Sequence, residues 1–152
     1  MRELLLMRHA EAVAHRPGLA DHDRPLTAHG RDAAAKAAHR LQRAHDLPEL
    51  VLFSSAARTR ETAAHLGAAL SLPANALRSD PRIYQASPDG LLELLRELPA
   101  GIRRVLLVGH NPAVSQLAHA LDPAGSRRSF ATAEFRLLRL PVADWSAIGE
   151  AP

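Results

Sequence analysis

The sequence has no cysteine, one tyrosine, one tryptophan and three phenylalanines. Lys36 is its only lysine. Without cysteine there is no disulfide and no thiolate, whether as nucleophile or as metal ligand. Scarce aromatic side chains leave little for nucleobases to stack on, and no basic block exceeds a pair (Arg103-Arg104, Arg127-Arg128), so nucleic-acid binding is not expected. Long apolar runs are also missing. Leu4 to Met7 is too short for a signal peptide or a membrane span, and the expectation is a soluble, cytoplasmic protein with no membrane partner. The formal charge is only +3, although the computed pI is about 10.5. Arginine carries nearly all the positive charge, and its planar fork suits small anions.

What is present is enough for a core: 152 residues, of which 47% are hydrophobic, fit one compact domain spanning 1–152. No repeat, low-complexity tract or linker interrupts it. Leu4–Met7, Leu50–Phe53 and Val105–Val108 are short continuous apolar runs, as expected of parallel strands covered on both faces. Helical stripes lie between them. Thr27 is a candidate N-cap for a helix with Ala33, Ala34, Ala37, Ala38 and Leu41 on its core face. Ala63, Leu66, Gly67 and Leu70 form a second stripe. Ser87-Pro88 announces a third helix, with Leu91, Leu94, Leu95 and Leu98 inward, and Asn111-Pro112 is expected to open a fourth over Val114, Leu117, Ala118 and Leu121. Phe135–Leu140 alternates imperfectly and suits a last strand at an edge; the tail from Pro141 to Pro152 has no assignment. The predicted class is α/β, a three-layer α/β/α sandwich with a mainly parallel central sheet.

In such sheets ligands sit beyond the carboxyl ends of the strands. Those ends carry Arg8-His9, then Ser54-Ser55-Ala56-Ala57-Arg58, then Gly109-His110-Asn111-Pro112. If the strands are neighbours, two arginines and two histidines converge at one rim. They repel one another unless an anion sits among them, and tetrahedral phosphate matches guanidinium forks in charge and geometry. Helix starts near Ser55 and Asn111 would add backbone N–H donors.

Arg8-His9, the Ser54-x-x-x-Arg58-x-x-x-Thr62 segment and Gly109-His110-Asn111-Pro112 resemble the histidine phosphatase superfamily, whose first motif is usually Arg-His-Gly. The Arg24-Pro25-Leu26-Thr27-x-x-Gly30 stretch and the short chain resemble its short SixA-type phosphohistidine phosphatases, in order from about residue 2 to residue 121. The resemblance implies a phosphoglycerate mutase-like fold without a large lid. It also implies no cofactor and no metal. His9 matches the family nucleophile that becomes a phosphohistidine; Arg8 and Arg58 match the arginines that hold phosphoryl oxygens; His110 matches the second pocket histidine, donating to a non-bridging oxygen. Arg24 sits in the matching loop and is a further phosphate ligand. The implied activity is metal-independent removal of phosphate from phosphohistidine on a protein, such as a histidine phosphotransfer domain or phosphocarrier. Two other readings stand beside it: a small-molecule phosphomonoesterase of the same superfamily, and a catalytically weak phosphoprotein-binding module.

Two departures from the family pattern matter. Ala10 replaces the glycine of the first motif and would be strained if the turn needed positive φ. Between Leu70 and Gly101 there is no glutamate matching the acid of larger relatives. Asp80, Asp89, Glu11 or a water are the available proton donors, none with a strong claim. An imidazole leaving from phosphorus needs a positioned acid less than an alkoxide does.

Other titratable groups have plainer readings. His15, His22, His39, His45, His65 and His119 are taken as solvated. Asp21-His22-Asp23 lacks the spacing of a metal site, and Asp23 is expected to orient Arg24 or cap its loop. One of Ser54 and Ser55 is expected to be a helix N-cap. Thr62 either supports Arg58 or packs, and Arg127-Arg128 either dock an acidic partner or face water.

Overall fold

The structure, a computed structural model, describes residues 1–150. Five strands form one sheet in the order β3-β2-β4-β1-β5: β1 (Arg2–Arg8), β2 (Leu50–Phe53), β3 (Leu77–Ser79), β4 (Arg104–Gly109) and β5 (Phe135–Leu140). All neighbouring pairs are parallel except β1 with β5. Four helices cover it: α1 (Ala28–Arg43), α2 (Ala57–Ala69), α3 (Pro88–Arg96) and α4 (Ala113–Leu121). This is the expected three-layer α/β architecture with a mainly parallel sheet, and β5 lies at an edge as its imperfect alternation suggested.

Side-chain alternation in the central strands divides the core in two. Leu4 and Leu6 of β1 join Leu107 of β4, Leu95 of α3 and Leu117 of α4 on one face. Leu5 and Met7 join Val108, Ala37 of α1 and Leu66 of α2 on the other. Both faces are covered, so every apolar position of β1 is useful. The alanine stripe of α1 keeps that helix close to its neighbours, and Ala34, Ala37, Ala38 and Leu41 are all fully buried.

Caps act largely where the sequence places them. Thr27 Oγ1 accepts from Gly30 N–H (2.9 Å), and Ser87 Oγ accepts from Gly90 N–H (3.0 Å). The fourth helix differs from expectation. It begins at Ala113 with Pro112 at the cap position, and the Asn111 side chain caps nothing. Its amide donates to Ser129 Oγ and Phe130 O, tying the 129–130 segment to the start of α4. The C-terminal segment, unassigned from sequence, packs Trp145 and Ile148 into the α3/α4 side of the core, and Trp145 Nε1 donates to Ile102 O. Residues 151 and 152 of the tail lie outside the described residues. Strand β3 was not foreseen: three residues long, with Arg78 in the middle, it carries no apolar run.

Between α2 and α3 the chain makes only β3 and short helical turns, and no large lid forms over the strand ends. Among the described residues no helix is long and apolar enough to cross a membrane.

Candidate active site

The order of strands puts β2, β4 and β1 side by side. Arg8 at the end of β1 pairs with Gly109 at the end of β4, and His9 N–H donates to Gly109 O (3.2 Å). Consecutive residues therefore place His9 beside His110, with ring centroids 5.4 Å apart. A cavity of about 290 Å³ opens here, and Arg8, His9, Arg24, Arg58 and His110 all line it. Every site residue expected from sequence is thus brought together. A larger cavity of about 610 Å³ lies between the end of α4 and the C-terminal segment, lined by groups such as Leu121, Val142 and Ile148. It has no comparable charge.

His9 is 8% exposed. Its Nδ1 lies 2.7 Å from Ala10 O, and a carbonyl can only accept, so Nδ1 carries the proton and Nε2 carries the lone pair. Burial lowers its pKa to about 4, with the charges of Arg58, Arg8 and Arg24 adding to the effect and the Ala10 hydrogen bond opposing it. The imidazole is neutral at pH 7. Ala10 is not among the positive-φ residues, so the missing family glycine causes no strain of that kind. Its N–H donates to Thr62 Oγ1 (3.1 Å), whose own hydroxyl donates to Arg58 O (2.7 Å). Thr62 thus supports the peptide after His9 and the backbone of Arg58.

The arginines are held by an acid that sequence reasoning assigned no role. Asp21 Oδ1 accepts from Arg24 Nε (3.1 Å) and lies 3.0 Å from its Nη2; Asp21 Oδ2 accepts from Arg58 Nη2 (3.1 Å) and from the Tyr84 hydroxyl (2.5 Å). Arg58 Nη1 adds a bond to Asp21 O (2.9 Å). The Tyr84 hydrogen bond and then the guanidinium contacts hold the Asp21 carboxyl well below its usual range, despite some desolvation. Asp21, not Asp23, orients Arg24. Asp23 lies instead 3.7 Å from His22 Nδ1. The available signal was the three-residue step from Asp21 to Arg24, masked by Asp23, the acid adjacent to Arg24 in sequence. Arg8 is anchored separately, through Nη1 to Phe130 O (3.0 Å).

His110 is fixed by a hydroxyl pair. Thr59 Oγ1 lies 2.9 Å from Ser54 O and 3.0 Å from Ala56 O, both acceptors, so its proton goes there. Ser54 then donates to Thr59 Oγ1 (2.5 Å) and accepts from His110 Nε2–H (2.7 Å). Ser54 also accepts from Ala56 N–H (3.3 Å); the N-cap of α2 is Ala56, so neither serine caps that helix by the expected side-chain bond. Burial, with Arg58 and His9 nearby, lowers the His110 pKa to about 3. Its Nδ1 is buried without a partner among the described residues, as are Arg8 Nε and Arg58 Nε. Such groups gain most from a ligand that satisfies them. Helix α4 adds less than expected, since Val114 N–H already donates to His110 O.

The candidate acids are poorly placed for proton donation. Asp80 is bonded by Arg82 and held below the carboxylate range, and neither it nor Asp89 lines the cavity. Glu11 does line it, but its Oε1 accepts from Thr27 (2.8 Å). His22 is not simply solvated: Nε2 lies 2.8 Å from Ser55 Oγ, and the ring meets Tyr84 edge-on. Arg128 pairs through both terminal nitrogens with Glu134 (2.8 Å each).

Neutral imidazoles and forked cations at the ends of parallel strands define an α/β protein built to handle a small oxyanion. The comparisons with known proteins narrow that class. Residues 4–81 match the histidine phosphatase superfamily (branch 1), and the chain belongs to that family. An uncharacterized protein of Mycobacterium tuberculosis is 38% identical over 115 residues, covering 76% of this chain and 69% of the relative. Among solved structures, a protein named provisionally as phosphohistidine phosphatase SixA, from Nakamurella multipartitia, is 33% identical with a TM-score of 0.82, over 99% of this chain and 90% of that one. A protein histidine phosphatase SixA complexed with tungstate is 27% identical with a TM-score of 0.81, over 91% and 88%. The fold is accordingly that of the phosphoglycerate mutase-like SixA proteins, and the function is of the histidine phosphatase type.

Proposed function

We propose that this single-domain chain hydrolyses phosphohistidine on a protein substrate, without a metal, through a phosphohistidine at His9. One observation carries the reading: His9 presents a bare Nε2 while Nδ1–H is tied to Ala10 O, in a cavity lined by Arg8, Arg24 and Arg58. In the first step Nε2 bonds to phosphorus and the substrate's P–N bond breaks, its electron pair leaving with the imidazole. The His9 ring gains positive charge, and the Ala10 carbonyl stabilises the N–H that carries it. In the second step water attacks phosphorus, the P–Nε2 bond breaks, and neutral His9 returns as phosphate departs.

The arginines supply fixed charge for phosphoryl oxygens, which is the main requirement of a loose phosphoryl-transfer transition state. The SixA relative was solved with tungstate, a tetrahedral oxyanion of the kind this cup fits. His110 donates to a non-bridging oxygen as imidazolium, the form that a dianionic phosphoryl group favours once it lies beside the ring. Preference for P–N over P–O bonds follows from the weak candidates for a general acid. An imidazole protonated on its far nitrogen leaves neutral, whereas an alkoxide needs a proton from the site.

The test uses a histidine-phosphorylated carrier protein and p-nitrophenyl phosphate, in EDTA, with wild type and His9→Ala. EDTA-resistant loss of phosphohistidine that vanishes in the variant supports the reading. Activity confined to p-nitrophenyl phosphate moves the substrate to esters, and wild-type inactivity on both leaves an oxyanion-binding module.

A further inference from the structure

A second cavity, of about 370 Å³, adjoins the phosphate cavity, and the two share His110 and Asn111 as lining residues. Tyr84, Gln85, Ser87 and Gln116 form most of its polar wall. Its lining includes no arginine, lysine, aspartate or glutamate. Charge in the site therefore ends abruptly: cations surround one cavity and only neutral groups and His110 surround the next. A second phosphate on a substrate would find no cation in the cleft, and an ammonium group would find no carboxylate.

The cleft wall is aromatic at the end nearest the chemistry. Tyr84 is the chain's only tyrosine. Its ring meets His110 edge-on at 5.6 Å and His22 edge-on at 4.8 Å, a row of three rings at the mouth of the phosphate cavity. Flat, neutral rings are favoured neighbours in that setting. Farther out, the amides of Gln85 and Gln116 are exposed and have no hydrogen-bond partner among the described residues, so each offers a donor and an acceptor to passing main chain. The remaining polar groups are already occupied: Ser87 Oγ caps α3, and the Asn111 amide holds Ser129 and Phe130.

We propose that this cleft is the leaving-group site: it takes the imidazole of a phosphohistidine against Tyr84 and the flanking main chain against Gln85 and Gln116. The inference rests on the phosphohistidine reading and names the surface that enforces it. When the P–N bond breaks, the electron pair stays on the leaving nitrogen and the ring departs neutral, the form a neutral cleft accommodates. The Tyr84 hydroxyl also donates to Asp21, so the wall that meets the leaving ring also braces the acid that holds Arg24 and Arg58.

The experiment compares kcat/KM on a short phosphohistidine peptide with kcat/KM on phosphoramidate, which has the same P–N bond but only ammonia to leave. Tyr84→Ala and Gln116→Trp, the second a filling substitution at an exposed position, are each expected to lower the peptide-to-phosphoramidate ratio about tenfold or more. Tyr84→Phe keeps the ring and loses only the bond to Asp21; both rates are expected to fall together, leaving the ratio unchanged. Ratios within about twofold of wild type in both Tyr84→Ala and Gln116→Trp overturn the cleft assignment. A wild type no faster on the peptide than on phosphoramidate overturns the phosphohistidine reading itself, and the cleft with it, before any variant is made.

Discussion

His9 is readable as a titration problem. With its pKa lowered to about 4 by burial and three guanidinium groups, the free protein should show His9 neutral, with Nδ1 protonated, across the whole range from pH 8 to pH 5. Nitrogen NMR of labelled protein checks this, and a midpoint near the ordinary histidine value of about 6.5 would refute the electrostatic account. Asp21 gives the second residue-scale prediction. Asp21→Asn keeps the shape but removes the charge between Arg24, Arg58 and Tyr84, and the expected loss in kcat/KM is about ten- to a hundredfold. Affinity for tungstate, measured by calorimetry, should fall in parallel, because a positioning role acts on oxyanion binding itself. At this scale the sequence pointed to the cluster but not to its scaffolding. That Arg8, His9, Arg58 and His110 gather in one cavity was legible because they follow the ends of neighbouring strands, whereas Arg24 rested on the resemblance of its loop. Asp21, Ser54, Thr59 and Tyr84 were hidden because their roles depend on partners up to 63 residues away, as for Tyr84 and Asp21.

Elements set the aim of those residues. The Pro25-Leu26-Thr27-x-x-Gly30 stretch has a mechanical meaning visible only in three dimensions: Thr27 N–H donates to Glu11 O (3.0 Å), and a Cβ on Gly30 would stand 2.1 Å from the same carbonyl. The first turn of α1 is thus pressed onto the peptide two residues after His9. Gly30→Ala should cost about 2 kcal/mol or more, because main chain must move to admit the methyl group, and urea denaturation measures it. An unchanged midpoint would contradict the contact. Strands β1, β2 and β4 could be read from apolar runs because burial on both faces demands such runs. β3 could not, since an edge strand of three residues needs no apolar pattern. The start of α4 was misplaced for a related reason: Asn-Pro looks like a cap followed by a first helical proline, but tertiary bonds to Ser129 and Phe130 claim the asparagine first.

For the molecule as a whole, the same two histidines tie stability to pH. His9 and His110 have folded pKa values of about 4 and about 3, below the ordinary histidine value of about 6.5. As pH falls from about 6.5 to 4 the unfolded chain takes up these protons and the folded chain largely does not, so stability is lost on acidification, on the order of 3 kcal/mol for each histidine. Further loss follows at lower pH as the depressed carboxyls, Asp21 and Glu134 among them, are protonated. Thermal melts from pH 7 to pH 4 test the first part, and His9→Gln should flatten the curve. A bound oxyanion should oppose the effect: tungstate at a hundred times its Kd adds about 2.7 kcal/mol, and it favours the protonated His110 that acid also favours. The central claim, however, is covalent. The most direct measurement mixes the protein with a phosphohistidine substrate, quenches it in alkali within milliseconds, and locates the added phosphoryl group by mass spectrometry. The account predicts an acid-labile, alkali-stable modification on His9 alone, formed and lost at rates that match turnover. Turnover with no phosphorylated protein, or with the group on any other residue, would contradict it.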